Sequence, residues 1–355
     1  MIKAGALYFA VFLSLVIAIV CTFFILNAYL GNFFVTRELQ QDKLMGDVSS
    51  GMTLLLNTPD LLSDGNDTLI DLYEDGKNPV NLKKENWGFY HILRCRATWK
   101  NLEWQKTALV GEDIFEQEPV GLYLADHKKY LSVAGDTRLS GNCYLPALGI
   151  RRAYIEGEGY KGEKLVYGKI KTSNSQLPKI NAQLIHSVSK YLKGNFLSSD
   201  SLLDYREISY RSPVVWSFNN KSLVYSSKDA LLLSQLDVEG RVIFYSEQSI
   251  FVTADNNLEQ VIIVAPKVLI ADDFKGSIQV FAADSIVIGK NCSLDFPGFV
   301  AIINNNINSC YLQVGESSTI RGGLMICKKR IARNLLRSSL PKMQGWKVRY
   351  MLKAI

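Results

Sequence analysis

The hydrophobic pattern opens with a long apolar segment that carries no charge. No charged residue occurs between Lys3 and Arg37, and three polar side chains interrupt the stretch from residue 5 to residue 30. A helix of that length rises about 39 Å, which exceeds the ~30 Å hydrocarbon core of a bilayer. A secretory signal peptide has a shorter apolar core and a small-residue cleavage site, which this sequence lacks. The pattern therefore predicts an uncleaved transmembrane signal anchor over residues 1–36. Its representative membrane positions are Gly5, Leu15, Val16, Ile25 and Leu30.

The charges that flank the apolar segment predict its orientation. The α-amino group and Lys3 precede the segment, whereas the four charged residues between Arg37 and Lys43 sum to zero. The positive-inside rule therefore keeps Met1 in the cytoplasm and exports the residues after Arg37. In a bacterium this topology describes a single-pass protein of the inner membrane with a periplasmic body. The lipid bilayer is then its first expected partner.

The helical pattern continues beyond the apolar segment. Apolar residues recur along one helical face: Leu39, Leu44, Met45, Val48, Met52, Leu55 and Leu56. Pro59 ends the pattern. We expect one long N-terminal helix whose first half lies in lipid. Its second half, a helical extension over residues 37–60, is expected to dock on the exported body.

A very short basic leader precedes the apolar helix. Lys3 is followed by Ala4, Gly5, Ala6 and Leu7 and then by the apolar run. From Met1 to about Leu55, this layout resembles the N-terminus of type IV prepilins and pseudopilins. The resemblance implies cleavage by a leader peptidase after a small residue. Its candidate processing residues are Lys3, Ala4 and Gly5.

The chain departs from the prepilin pattern at one position. Members of that family carry a Glu five residues beyond the cleavage point, whereas this chain has Phe9 or Ala10 there and no acid before Glu38. The departure argues against assembly into a pilus core through that Glu. It favours an accessory protein of a pilus-like or secretion machinery, or an unrelated anchor.

Short apolar runs dominate the chain from Leu122 onward. They are rich in β-branched and aromatic residues and are separated by Gly, Asp, Asn, Ser or Pro at a spacing near ten residues. This spacing is typical of a sandwich, a barrel or a solenoid. We predict a first β-rich region over residues 61–180. Its predicted strands include Tyr130–Val133, Tyr144–Leu145, Ala153–Ile155 and Lys164–Tyr167.

A regular repeat predicts a parallel β-solenoid over residues 204–327. Each unit is a strand, a polar corner and a second strand, and the second strands begin at nearly even intervals, at Ala230, Ile250, Val268 and Ile286. Because each repeat of a solenoid buries an inward row against the next, Ile250, Val268 and Ile286 are expected in one inward column. A β-sandwich or an antiparallel meander is the alternative. The repeat resembles that of bactofilins, cytoskeletal β-helices that polymerise end to end.

Residues 181–203 predict an amphipathic helix between the two β regions. Leu184, Ile185, Val188, Tyr191 and Leu192 recur at helical steps. We expect this helix to cover an open end or a side of the β body. The predicted fold class is thus mainly β, with a transmembrane helix, an exported β-rich body and one covering helix.

The positive charge of the protein is concentrated at its C-terminal end. The composition is ordinary for a globular protein of 355 residues, with 48% apolar and 21% charged residues. The net charge is +6, but residues 328–355 contribute +9, so the chain up to Cys327 carries −3. We expect a basic tail that folds against the body as a strand and faces anionic lipid; a solvated terminus is the alternative. Its basic residues include Lys328, Lys329, Arg330, Arg333, Arg337, Lys347 and Arg349. No zinc finger or RNA-binding signature occurs, so nucleic acid is not an expected partner.

No motif for catalysis, cofactor binding or metal binding occurs in the sequence. Asp255, Asp272, Asp273 and Asp284 fall at or near corners, where Asp is favoured by turn geometry. We therefore expect no catalytic, cofactor or metal site, and a non-enzymatic structural or assembly protein of the cell envelope with protein partners. The alternative is an envelope enzyme that acts on polysaccharide. Two carboxylates about 5–9.5 Å apart in one groove would favour that enzyme.

The cysteines and the aromatic residues are expected to fill space in the core. Five cysteines lie beyond the apolar segment without paired spacing, which indicates free thiols rather than disulfides. Aromatic residues are dense between Trp87 and Trp104. We interpret them as core residues rather than as a glycan-binding or partner-binding patch.

Overall fold

The fold is mainly β, with one long apolar helix at its N-terminal end. A computed structural model describes residues 4–58, 61–62, 65–73, 76, 79–111, 121–155, 157–175, 182–196, 200–210, 213–304, 310–329 and 346–352. The chain forms two compact units, Met1–Glu85 with Ile92–Val110, and Asn86–His91 with Gly111–Ile355. The residues expected to form the first β-rich region, 61–180, are divided between these two units.

The first unit is built from the long helix and a four-stranded sheet. Helix α1 spans Ala4–Asn57. The strands are β1 (Asp67–Ile70), β2 (Val80–Trp87), β3 (Tyr90–Trp99) and β4 (Leu102–Gly111), which lie side by side in that order.

The second half of α1 packs on this sheet. Leu44, Val48, Met52 and Leu55 are buried at steps of three and four residues, in one cluster with alternate residues of β2 and β3. Gly51 permits the close approach, because a Cβ atom there would lie 2.6 Å from the Sγ atom of Cys95. The helical extension therefore docks on a β sheet through these four residues, whereas Leu39, Met45 and Leu56 of the expected face are exposed.

The second unit begins with short strands. They are β5 (Leu122–Tyr123), β6 (Leu131–Val133), β7 (Cys143–Leu145), β8 (Ile150–Arg152), β9 (Tyr154–Ile155), β10 (Glu158–Gly159) and β11 (Ile170–Thr172). Parallel pairs join β5 to β7, β7 to β11 and β6 to β8, so parallel stacking already begins in this block. The prediction of a strand at Lys164–Tyr167 is wrong. Tyr167 forms an isolated bridge with Ser140, and the adjacent residues join no strand.

Helix α2 (Ala182–Leu192) follows these short strands. It is shorter than the helix expected over residues 181–203, because Gly194 adopts a left-handed backbone conformation, with φ +68°, that ends helices. Its apolar residues Leu184, Ile185 and Val188 are buried. The helix lies beside the long central strands of the solenoid described next, and so covers a side of the β body.

The remaining strands form the solenoid. They are β12 (Ser201–Asp204), β13 (Val214–Trp216), β14 (Leu223–Ser227), β15 (Leu231–Leu233), β16 (Asp237–Gly240), β17 (Val242–Ser246), β18 (Ser249–Val252), β19 (Asn257–Ile270), β20 (Lys275–Ile288), β21 (Ser293–Asn304), β22 (Tyr311–Val314) and β23 (Thr319–Lys329). A 3-10 helix, Tyr205–Tyr210, lies between β12 and β13 and buries Ile208 in the solenoid core.

Parallel pairing from rung to rung confirms the solenoid. One face stacks β12, β14, β17 and parts of β19, β20, β21 and β23. A second face stacks β15, β18, the ends of β19 and β20, and β22. A third stacks β13, β16 and the starts of the long strands. The antiparallel meander is therefore wrong for this region.

The predicted inward column of Ile250, Val268 and Ile286 forms on the second face. Ile250 pairs with Val268, and Val268 pairs with Ile286. All three side chains are buried in the solenoid core. Alternate residues on the same strands, such as Lys267, face outward and are exposed.

The C-terminal residues include one further strand, β24 (Trp346–Leu352). It pairs antiparallel with β23, and its Leu352 also pairs with Leu122 of β5. Strand β24 therefore joins the short strands and the solenoid in one continuous sheet.

Candidate functional site

The most extensive candidate functional surface is the first half of α1. The helix is long and apolar enough over Leu7–Asn57 to cross a membrane. The anchor positions Leu15, Val16, Ile25 and Leu30 are all exposed, with Ile25 at 71%. Gly5 and Ala4 lie in the first turns of α1, and Lys3 lies outside the described residues. A continuous apolar surface of this kind marks a contact with lipid or with a partner.

Two of the acids that a polysaccharide-cleaving enzyme could use, Asp255 and Asp272, are engaged in hydrogen bonds between rungs. Asp255 accepts from Ser234 Oγ at 3.1 Å, and Asp272 accepts from the backbone N of Lys290 at 2.7 Å. Hydrogen bonds from Thr253 and Ser234 lower the pKa of Asp255. A general acid needs a raised pKa, whereas the pKa of Asp255 is lowered.

Other acids at or near turns also have structural partners. Asp273 accepts from Asn291 Nδ2 at 3.3 Å. Glu158 lies 3.6 Å from Lys161 Nζ. Among the residues that the structure describes, no group of three or more His, Cys, Asp or Glu side chains could hold a metal ion.

The cysteines are free thiols. Cys95, Cys143, Cys292 and Cys327 are buried, as expected for small apolar side chains. Burial raises the pKa of Cys95 to about 11, with a further contribution from the negative charge of Asp47. Burial also raises the pKa of Cys327 to about 12. Reactive cysteines show the opposite shift, so these thiols lack the character of nucleophiles.

Thiol labelling should therefore discriminate between the cysteines. Raising the Cys95 pKa from 9.0 to about 11 reduces its thiolate fraction at neutral pH about a hundredfold. We expect iodoacetamide to label half-buried Cys310 in the native protein, and to label Cys95 and Cys327 only after urea is added. Peptide mass spectrometry over time measures the rates. Labelling of native Cys95 as fast as Cys310 would contradict the burial.

A hairpin tip on the solenoid is a feature that the sequence pattern did not predict. Strands β2 and β3 are joined by Gly88 and Phe89, and residues Asn86–His91 belong to the second unit. The ring of Phe89 stacks on Phe299 with a centroid distance of 3.9 Å and lies 5.7 Å from Phe281. Trp87 packs edge-to-face on Phe218 at 5.6 Å. The core interpretation of Trp87, Phe89 and Tyr90 is confirmed, since all three are buried.

Gln279 clamps this tip. Its Oε1 atom accepts a hydrogen bond from the backbone N of Phe89 at 3.0 Å, and its Nε2 atom donates to the carbonyl of Trp87 at 3.1 Å. Gln279 is fully buried and points away from the solenoid core, which contains its neighbours Ile278 and Val280. The amide therefore replaces solvent for two backbone groups of the tip.

The basic tail is described in part. Lys328 and Lys329 end β23, and Lys347 and Arg349 lie on β24, with Lys328 paired to Lys347. Arg330, Arg333 and Arg337 lie outside the described residues. The expected strand character of the tail is present over Trp346–Leu352.

Comparisons with known proteins add no relative to these observations. No family model, no curated protein and no solved structure matches the chain.

Proposed function

We propose that the protein is a non-enzymatic structural or assembly protein of the cell envelope. The first half of α1 holds it in the inner membrane, and the residues after Arg37 lie in the periplasm. The observation that carries this proposal is the change of surroundings along one continuous helix. Residues Leu7–Val35 expose apolar side chains, whereas Leu44, Val48, Met52 and Leu55 pack on the sheet of β1–β4. Lipid is the solvent that accommodates such an exposed apolar helix.

The rest of the chain supports a role in assembly rather than in chemistry. Asp255, Asp272 and Asp273 are held in rung-to-rung hydrogen bonds, and the buried thiols of Cys95 and Cys327 have raised pKa values. The prepilin-like leader and the lack of an acid before Glu38 support an accessory role in a pilus-like or secretion machinery. Protein partners are then other envelope components. Cross-linking in cells and recovery from solubilised membranes would identify them.

The anchor is tested by Val16→Arg. Val16 lies near the middle of the apolar segment, and a charge at the centre of a membrane helix costs about 2.5–3.5 kcal/mol on insertion scales. We expect the wild-type chain to remain in the membrane pellet after carbonate extraction. The variant should shift to the soluble or aggregated fractions. The matched control is Val35→Arg, which places the same charge beside Arg37, where a long side chain reaches the interface.

Two results would contradict the anchored topology. One is release of the wild-type chain by a salt wash, which indicates peripheral attachment. The other is resistance of the residues after Arg37 to protease added from the periplasmic side of spheroplasts, while a known periplasmic protein is digested. Equal insertion of Val16→Arg and Val35→Arg would show that the centre of this segment does not span the membrane.

A further inference from the structure

An exposed surface on strands β6 and β8 combines an aromatic ring with a guanidinium group. Parallel pairing sets Ser132 of β6 beside Arg151 of β8. The guanidinium carbon of Arg151 lies 4.9 Å from the ring centroid of Tyr130. Arg151 Nε donates a hydrogen bond to Ser132 Oγ at 3.1 Å. Tyr130 is 49% exposed and Arg151 is exposed. We call Tyr130, Ser132 and Arg151 the β6–β8 surface.

The contacts of Arg151 orient its guanidinium group without using all of its donors. The guanidinium carbon lies over the ring of Tyr130, and the bond to Ser132 uses Nε. The in-plane donors on the two Nη atoms stay available for a ligand. Among the described residues, Arg151 forms no ion pair. A planar fork of this kind matches a carboxylate through two parallel hydrogen bonds.

The surroundings of the surface favour an anion. Residues 121–175 contain nine Lys or Arg and five Asp or Glu, so this block carries +4 although the chain up to Cys327 carries −3. The exposed Lys128 and Lys129 directly precede Tyr130. The nearby Asp126 accepts hydrogen bonds from the backbone N of Lys128 and of Ala147, at 2.7 and 3.1 Å. Its carboxylate is therefore engaged by the backbone.

We propose that the β6–β8 surface binds an acidic polysaccharide. The carboxylate of a uronic acid pairs with the Nη atoms of Arg151, and the sugar ring packs against the exposed part of Tyr130. A bare phosphate or a lipid headgroup would contact only the charge of Arg151. The apolar face of a pyranose can also pack on the exposed aromatic ring of Tyr130. The inference names a ligand class for the exported body, and it rests on the proposed function for the supply of envelope polysaccharide.

The test measures binding of short oligogalacturonates to the full chain in detergent by isothermal titration calorimetry. Dextran serves as an uncharged sugar, and polyphosphate as an anion without a sugar. We expect oligogalacturonate to bind and dextran not to bind. Arg151→Lys keeps the charge but loses the planar fork, so affinity should fall about tenfold. Tyr130→Ala should weaken binding to a similar extent, and Tyr130→Phe should preserve it because the ring remains.

A matched control removes an exposed charge elsewhere in the same block. Lys169→Gln should change the affinity less than Arg151→Lys, although it alone lowers the net charge. The proposal is overturned if oligogalacturonate does not bind, if Arg151→Lys binds as well as wild type, or if polyphosphate binds as tightly with the same response to both variants. None of these results changes carbonate extraction of the chain, so failure of this inference is distinct from failure of the proposed anchoring. Circular dichroism checks that each variant is folded.

Discussion

Val268→Asp should unfold the solenoid, with a loss of roughly 3–5 kcal/mol in the free energy of unfolding. Val268 is 2% exposed and lies between Ile250 and Ile286 in the inward column. A carboxylate at this position has hydrocarbon neighbours and no cation to pair with. Because each rung is stabilised chiefly by the rungs beside it, disruption at a central rung removes support from both directions.

The neighbouring substitution Lys267→Asp provides the control for Val268→Asp. It introduces the same carboxyl group one residue away, on the exposed side of the same strand. We expect urea unfolding, followed by far-ultraviolet circular dichroism, to be almost unchanged by Lys267→Asp. Burial raises the pKa of the carboxyl introduced at position 268, so its penalty should decrease as the pH falls and the group becomes neutral. Equal unfolding midpoints for the two variants would show that position 268 is not in a core.

Gly88→Ala should release the hairpin tip from the solenoid. Gly88 has φ +65°, a conformation that costs other residues roughly 1–2 kcal/mol. A Cβ atom there would also lie 2.1 Å from Gln279 Oε1 and 2.9 Å from the ring of Phe281. Relief of this overlap moves the Gln279 amide and breaks its hydrogen bonds to the tip, which adds about 1–3 kcal/mol for buried groups left unpaired.

Gly149→Ala separates the two contributions at Gly88. Gly149 has φ +77° and no heavy atom within 4 Å of the added Cβ position, so its substitution has the backbone cost alone. We expect the larger loss of unfolding free energy for Gly88→Ala. We also expect a red shift of tryptophan emission in that variant, because Trp87 is fully buried. Equal losses for the two substitutions, with unchanged emission, would show that the tip is not clamped.

The parts of the fold that were predictable are those whose pattern lies within a short stretch of the sequence. The apolar segment is continuous, and Ile250, Val268 and Ile286 repeat at a fixed spacing, so both the helix and the rungs can be inferred from local pattern. The end of α2 differs from the prediction because Gly194 interrupts an apolar pattern that otherwise continues. Leu202 and Leu203, which that pattern places in the helix, belong to β12.

The clamp on the hairpin tip depends on residues that are far apart in the chain. Phe89 and Gln279 are separated by 190 residues, and no repeat or motif connects them. A signal was nevertheless present, because Gln279 is a polar residue within the apolar run Ile278–Phe281. The position of Gln279 on the outer side of a strand does not indicate which backbone groups it hydrogen-bonds. The β6–β8 surface was missed for the same reason, since the register of β6 and β8 brings Ser132 beside Arg151.

The position of β24 has a consequence for how the protein is made. Leu352 pairs with Leu122, so β5 leaves the ribosome long before its neighbour in the sheet has been synthesised. The edge of β5 that pairs with β24 is therefore unpaired while the remaining rungs are synthesised, and other strands can pair with it during that time. Contacts of such long sequence separation also form slowly. The sheet from β11 to β12 can therefore become continuous only after Trp346–Leu352 has been synthesised. A chain truncated before Trp346 would keep its rungs but lack the strand that joins them to β5.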